Sequence, residues 1–110
     1  MKNGNENIME DLIKIEFRIF ANLRDILGFK IEFLDILKGT SVRDFLHIIG
    51  DNYPNGPEFV RNVIDLEKKD VLPYVKILID GRILMGDNIL GTQITKDKSV
   101  IAIFPPVGGG

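Results

Sequence analysis

The chain ends in Pro105-Pro106-Val107-Gly108-Gly109-Gly110, directly behind the apolar run Ile101-Ala102-Ile103-Phe104. Prolines cannot extend a β-ladder and favour a polyproline II path, so the pair is expected to carry residues 105–110 off the domain as a stiff stalk. Six residues at roughly 3.3 Å each reach about 20 Å, enough to place Gly110 inside a deep, narrow site on another protein. Glycine has no Cβ, so the backbone can pass where a side chain would jam. The chemistry on offer is that of the terminal carboxylate. Joined to AMP it becomes a mixed anhydride. Sulfide attacking that anhydride displaces AMP and leaves a thiocarboxylate on Gly110, whereas a lysine amine leaves an isopeptide bond. Neither route needs a Cys, a His or a metal from this chain. The competing reading is a frayed end on an interaction domain, with an idle tail.

No other set of residues competes for a chemical role. His47 is the single histidine and sits off the apolar stripe of its helix, where a lone exposed imidazole is expected to be inert. The carboxylates are spread over charged faces without a pair set apart as acid and base. Gly86 and Gly91 lack the strand and helix frame of a phosphate loop, and no helix follows the terminal glycines. No bound cofactor and no metal are expected.

Composition narrows the classes further. With 110 residues the chain is one domain with a modest core, which suits a carrier or binding module better than a self-sufficient enzyme. Lys and Arg number 14 against 16 Asp and Glu, without a basic run, so nucleic acid is a poor partner. The absence of Cys removes disulfides, thiolate nucleophiles and Cys-ligated zinc and fits a reducing compartment. Apolar runs fall far short of the ~20 residues that span a bilayer, and no apolar signal core opens the chain. A cytoplasmic protein, neither exported nor membrane-bound, is expected.

The elements that must hold the tail follow from periodicity. Residues 1–11 are Asn- and Glu-rich without a pattern and are expected to form a flexible arm ahead of a domain over 12–104. Residues 13–20 alternate, with Ile13, Ile15, Phe17 and Ile19 on one side and Lys14, Glu16 and Arg18 on the other. Residues 29–36 repeat this with Phe29, Ile31 and Phe33 sharing a face, and the two strands are expected to pair antiparallel. Between them Leu23, Ile26 and Leu27 make one helical turn that Gly28 closes. Ser41 with Asp44 three residues on has capping-box spacing, and Val42, Phe45, Leu46 and Ile49 form the stripe of the main helix. Residues 54–71 read as a second, shorter helix with Phe59, Val60, Val63 and Ile64 on one face and a charged exit. Asp80-Gly81 is a two-residue hairpin turn after a strand over 74–79. Residues 86–98 are mostly loop, anchored by Ile89, Leu90 and Ile94. Residues 99–104 are apolar on both faces and should run through the middle of the sheet. This order fits an α+β fold with a mixed sheet of four or five strands and a helix across one face, the plan of a ubiquitin-like β-grasp.

Two segments carry a resemblance. Ile101-Ala102-Ile103-Phe104-Pro105-Pro106-Val107 and the glycines behind it resemble the end of the small subunit of molybdopterin synthase, the MoaD-like sulfur carriers of the ThiS/MoaD β-grasp superfamily. Phe20-Ala21-Asn22-Leu23-Arg24-Asp25-Ile26-Leu27-Gly28 resembles the segment joining the first two strands in those proteins. Thiamin-type carriers resemble the chain less, being usually shorter and without the Phe-Pro-Pro run. The resemblance implies that an E1-like enzyme uses ATP to adenylate Gly110, with Gly109 as its flexible neighbour, and that a thiocarboxylate then supplies sulfur for molybdopterin. It implies that Phe104, Pro105, Pro106, Val107 and Gly108 dock into a synthase large subunit that performs the chemistry, this chain being a non-catalytic carrier. Similar archaeal proteins act as ubiquitin-like modifiers of target-protein lysines or supply sulfur for tRNA thiolation, uses the tail chemistry does not separate. Gly108, before the final pair, and the rich segment 54–71 depart from the family pattern.

Overall fold

A computed structural model describes residues 11–106. The expected arm over residues 1–10 and the tail residues Val107, Gly108, Gly109 and Gly110 lie outside the described residues. Strand β1 (Leu12–Ile19) is followed by helix α1 (Asn22–Leu27), which closes on a left-handed Gly28. Then come β2 (Ile31–Leu37), β3 (Thr40–Ser41), the long helix α2 (Val42–Asn52) and the short α3 (Gly56–Arg61). The chain continues through β4 (Ile64–Asp65), β5 (Asp70–Val71), β6 (Lys76–Ile79) and β7 (Arg82–Ile83). A 3-10 turn (Ile89–Gly91), β8 (Gln93–Ile94) and β9 (Ser99–Phe104) complete it.

The main sheet has five strands in the order β2-β1-β9-β6-β7. β1 runs parallel to β9, pairing Ile15 with Ser99 and Ile19 with Ile103, and every other pairing in that sheet is antiparallel. The last strand therefore lies in the middle, as its two-sided apolar pattern requires. Between β6 and β7, Asp80 (φ +50) and Gly81 (φ +83) both take the left-handed backbone that a two-residue turn of this hand demands. Asp80 is tied to β9 as well, its carboxylate accepting from the Ser99 hydroxyl at 3.0 Å and the Val100 amide at 2.9 Å.

The helices cover one face. Ser41 caps α2 by accepting from the Asp44 amide at 3.0 Å, and Val42, Phe45, Leu46 and Ile49 are buried as the stripe predicts. They meet Ile13, Ile15, Phe17 and Ile19 of β1 and Ile101 and Ile103 of β9. Phe17 is the hub, with Phe45 edge-on at 5.2 Å and Phe29 and Phe59 at 6.0 Å. Among the described residues no helix is long and apolar enough to cross a membrane.

Two expectations are corrected. Ile31 and Phe33 share a face, but it is the outer one, and both are exposed while Ile36 is buried. Pairing with β1 sets this: Phe33 stands opposite Glu16 and Ile31 opposite Arg18, whereas Ile36 meets Ile13. Phe29 precedes the strand and packs inward. In the segment 54–71 the helix stops at Arg61, and Ile64 and Val71 pair across a small hairpin. The Asp65 carboxylate, accepting from the amides of Glu67 and Lys68, holds that turn and competes with continuation of the helix.

Candidate functional site

β9 delivers the chain to the tail. Its inner residues Ile101 and Ile103 are buried, and Phe104 pairs with Lys76 of β6 at the end of the ladder. Pro105 is buried and Pro106 exposed, so the first residue of the expected stalk packs with the domain. The base of the tail is held on both sides of Phe104 along the chain.

A contact from far away in sequence fixes it laterally. The Phe104 ring stacks on Phe20 with centroids 4.1 Å apart and planes 9° from parallel. The guanidinium carbon of Arg24 lies 4.8 Å from the centre of the Phe20 ring, and its Nε donates to the Ile19 carbonyl at 2.7 Å. A positive φ at Ala21 (+53) swings the chain from β1 into α1, which carries Arg24. The two segments singled out in the sequence thus meet through Phe20 and Phe104.

Beside this stack opens a groove of about 550 Å³ lined by Tyr74, Lys76, Phe104, Pro105 and Pro106. Tyr74 is 80% exposed and holds a φ of +73, which presents its ring at the rim. The groove is apolar with Lys76 as its cation, a surface suited to a partner holding the chain just ahead of its glycines.

Of the predicted site residues, Phe104, Pro105 and Pro106 are brought together here. Val107, Gly108, Gly109 and Gly110 are outside the described residues. The sequence reading missed Tyr74 and Lys76 and treated Phe20 and Arg24 as a connection only; proximity across paired strands far apart in sequence, β1 with β9 and β6 with β9, has no local signal. His47 is exposed on α2 and lines no part of this groove. Among the described residues no three His, Asp or Glu side chains gather to hold a metal ion.

Comparison with known proteins agrees with this architecture. The model of the ThiS family matches residues 17–110. Small archaeal modifier protein 3 of Haloferax volcanii is 26% identical over 98 residues, covering 89% of this chain and all of that protein. The solution structure of the Haloferax volcanii HVO 2177 protein superposes with a TM-score of 0.72 at 26% identity, covering 91% of this chain and 89% of that one. A putative molybdopterin converting factor subunit 1 from Pyrococcus furiosus gives a TM-score of 0.61 at 22% identity, covering 86% and 99%, a likeness of fold alone. The matched family bears the name of the thiamin-type carriers, which the Phe-Pro-Pro run had set further off, while the modifier aligns over its full length.

Proposed function

The chain belongs to the ThiS family of ubiquitin-like sulfur carriers and modifiers, and from that premise we propose that it works as a sulfur carrier through Gly110. An E1-like enzyme joins the Gly110 carboxylate to AMP from ATP, releasing pyrophosphate. Sulfide attacks the anhydride carbonyl, AMP leaves, and the chain then carries a terminal thiocarboxylate. That sulfur serves molybdopterin assembly, with Phe104, Pro105 and Pro106 docking against a synthase large subunit, Val107 and Gly108 leading the tail into it and Gly109 giving the last residue room to turn. The chain supplies a handle and an acyl group, and the catalytic residues belong to its partners.

One observation carries this reading. The strand end is anchored by the Phe20–Phe104 stack and a buried Pro105, next to an open apolar groove, immediately before the glycines. A partner that grips the groove receives the tail in one direction rather than as a free coil, which lowers the entropic cost of threading it. A second reading draws on the full-length match to a small archaeal modifier protein: the same adenylate is taken by target-protein lysines, giving isopeptide bonds.

The test is fragmentation mass spectrometry of the C-terminal peptide after incubation of the full chain with ATP, a sulfide source and cell extract. A thiocarboxylate on Gly110 supports sulfur carriage, Gly110 on a lysine ε-amine supports the modifier reading, and both products mean dual use. A free Gly110 carboxylate, with the activating enzyme demonstrably at work, overturns both in favour of an interaction domain.

A further inference from the structure

The segment 54–71 builds something the tail chemistry does not use. Between α2 and the β4–β5 hairpin lies a groove of about 440 Å³ lined by Arg43, His47, Ile64, Leu66, Lys69 and Leu90. A smaller lobe of about 210 Å³ continues past His47 and Leu66 to Arg61, Val60 and Asp51. Its floor is apolar: Ile64 and Leu90 are buried, and Leu66 stays 55% exposed on top of them. Among the described residues neither lobe shares one with the groove at the tail base.

The rim is cationic in a chain whose formal charge is -2. Arg43 and His47 stand four residues apart on α2 and so share a side of it, and Lys69 faces them from the hairpin. Among the described residues the ion pairs are Lys14 with Asp35 and Arg18 with Glu16, so none engages Arg43, Arg61 or Lys69. Two of the hairpin's three carboxylates are turned to backbone, Asp65 accepting from the amides of Glu67 and Lys68 and Asp70 from the Val71 amide at 2.8 Å, while the exposed Glu67 lines neither lobe. Unpaired cations around an exposed leucine call for a ligand that brings negative charge and an apolar side chain together.

We propose that this groove docks an acidic peptide segment of a partner protein, its carboxylates over Arg43 and Lys69 and one bulky apolar side chain on Leu66, Ile64 and Leu90. Because the groove is separate from the tail base, a partner can hold the domain here while Gly110 is in a reacting site. The second contact raises the effective concentration of the tail.

The experiment follows backbone amide shifts of the isotope-labelled full chain during titration with a capped peptide DEDLFDE to about 1 mM. Shifts centred on Arg43, His47, Leu66, Lys69 and Leu90 are expected, with none from KRKLFKR. Reversing both cations in R43E/K69E, or removing the apolar pair in DEDGGDE, should weaken binding roughly tenfold. All three side chains to be changed are exposed, so the variants keep the fold, and Leu66→Ser gives an independent check. Absence of shifts, shifts centred elsewhere, equal binding by R43E/K69E, or the same shifts from inorganic phosphate would each overturn the proposal. Peptide binding should survive removal of Gly109 and Gly110, so its failure is distinct from failure of the tail chemistry.

Discussion

If the Phe20–Phe104 stack is what anchors the base of the tail, the two rings must be energetically coupled, and a double-mutant cycle measures that coupling. Both rings are part-buried, so replacing either with Leu removes less than the ~3 to 5 kcal/mol lost on truncating a fully buried aromatic to Ala. About 1 to 2 kcal/mol is expected for each single change, or roughly 4 to 8 °C in melting temperature per kcal/mol for a domain of this size. The parallel geometry at 4.1 Å adds about 0.5 to 1.5 kcal/mol beyond area burial, and only while both rings are present. The double variant Phe20→Leu with Phe104→Leu should therefore be more stable than the sum of the singles predicts, by that amount. Urea unfolding followed by far-UV circular dichroism gives all four free energies, and an unchanged slope against urea confirms that only native stability moved. Additivity to within about 0.3 kcal/mol would refute the stack as an anchor and leave Phe104 as an ordinary strand residue.

Other perturbations test the frame that holds this anchor. Gly56→Ala should destabilise by about 1 to 3 kcal/mol or more in the same unfolding assay, because an added Cβ would collide with the Gly50 carbonyl oxygen and the backbones of α2 and α3 would have to part. Asp80→Ala removes the acceptor for the Ser99 hydroxyl, which is 1% exposed, and for the Val100 amide; a loss of about 1 to 3 kcal/mol is expected and tolerance of the change would contradict it. Burial, and secondly the Glu32 carboxylate, push the Tyr53 phenol above its ordinary 10.0. The folded state then holds this proton more tightly than the unfolded chain does, so the stability it contributes is present below that value and is lost as pH rises from about 10 through the folded value. Tyr53→Phe should flatten this part of the urea midpoint against pH, and an identical decline in both proteins would rule the assignment out.

Much of the fold was legible because it is local. Alternation in β1, the capped stripe of α2, the Asp80-Gly81 turn and the two-sided apolarity of β9 each report an interaction between residues a few positions apart, where hydrogen bonding and side-chain periodicity decide. β2 was misread because apolar residues stand on both of its faces: Ile31, Phe33 and Leu37 on one, Leu34 and Ile36 on the other. Its parity was open until pairing with β1 settled it. The end of α3 was misread because Val63 and Ile64 continue the helical spacing while Asp65 offers the backbone a competing turn.

What the amino-acid order determined by itself is therefore the main strands and helices and the central place of the last strand. Tertiary structure alone decided that Phe20 and Arg24 support Phe104, that Pro105 packs with the domain, that Tyr74 and Lys76 line a groove with Phe104, Pro105 and Pro106, and that Arg43, Leu66 and Lys69 line another. Each of these depends on strand order and helix placement, which are set by many small burial and pairing energies summed over the whole chain, so no short window of sequence contains them.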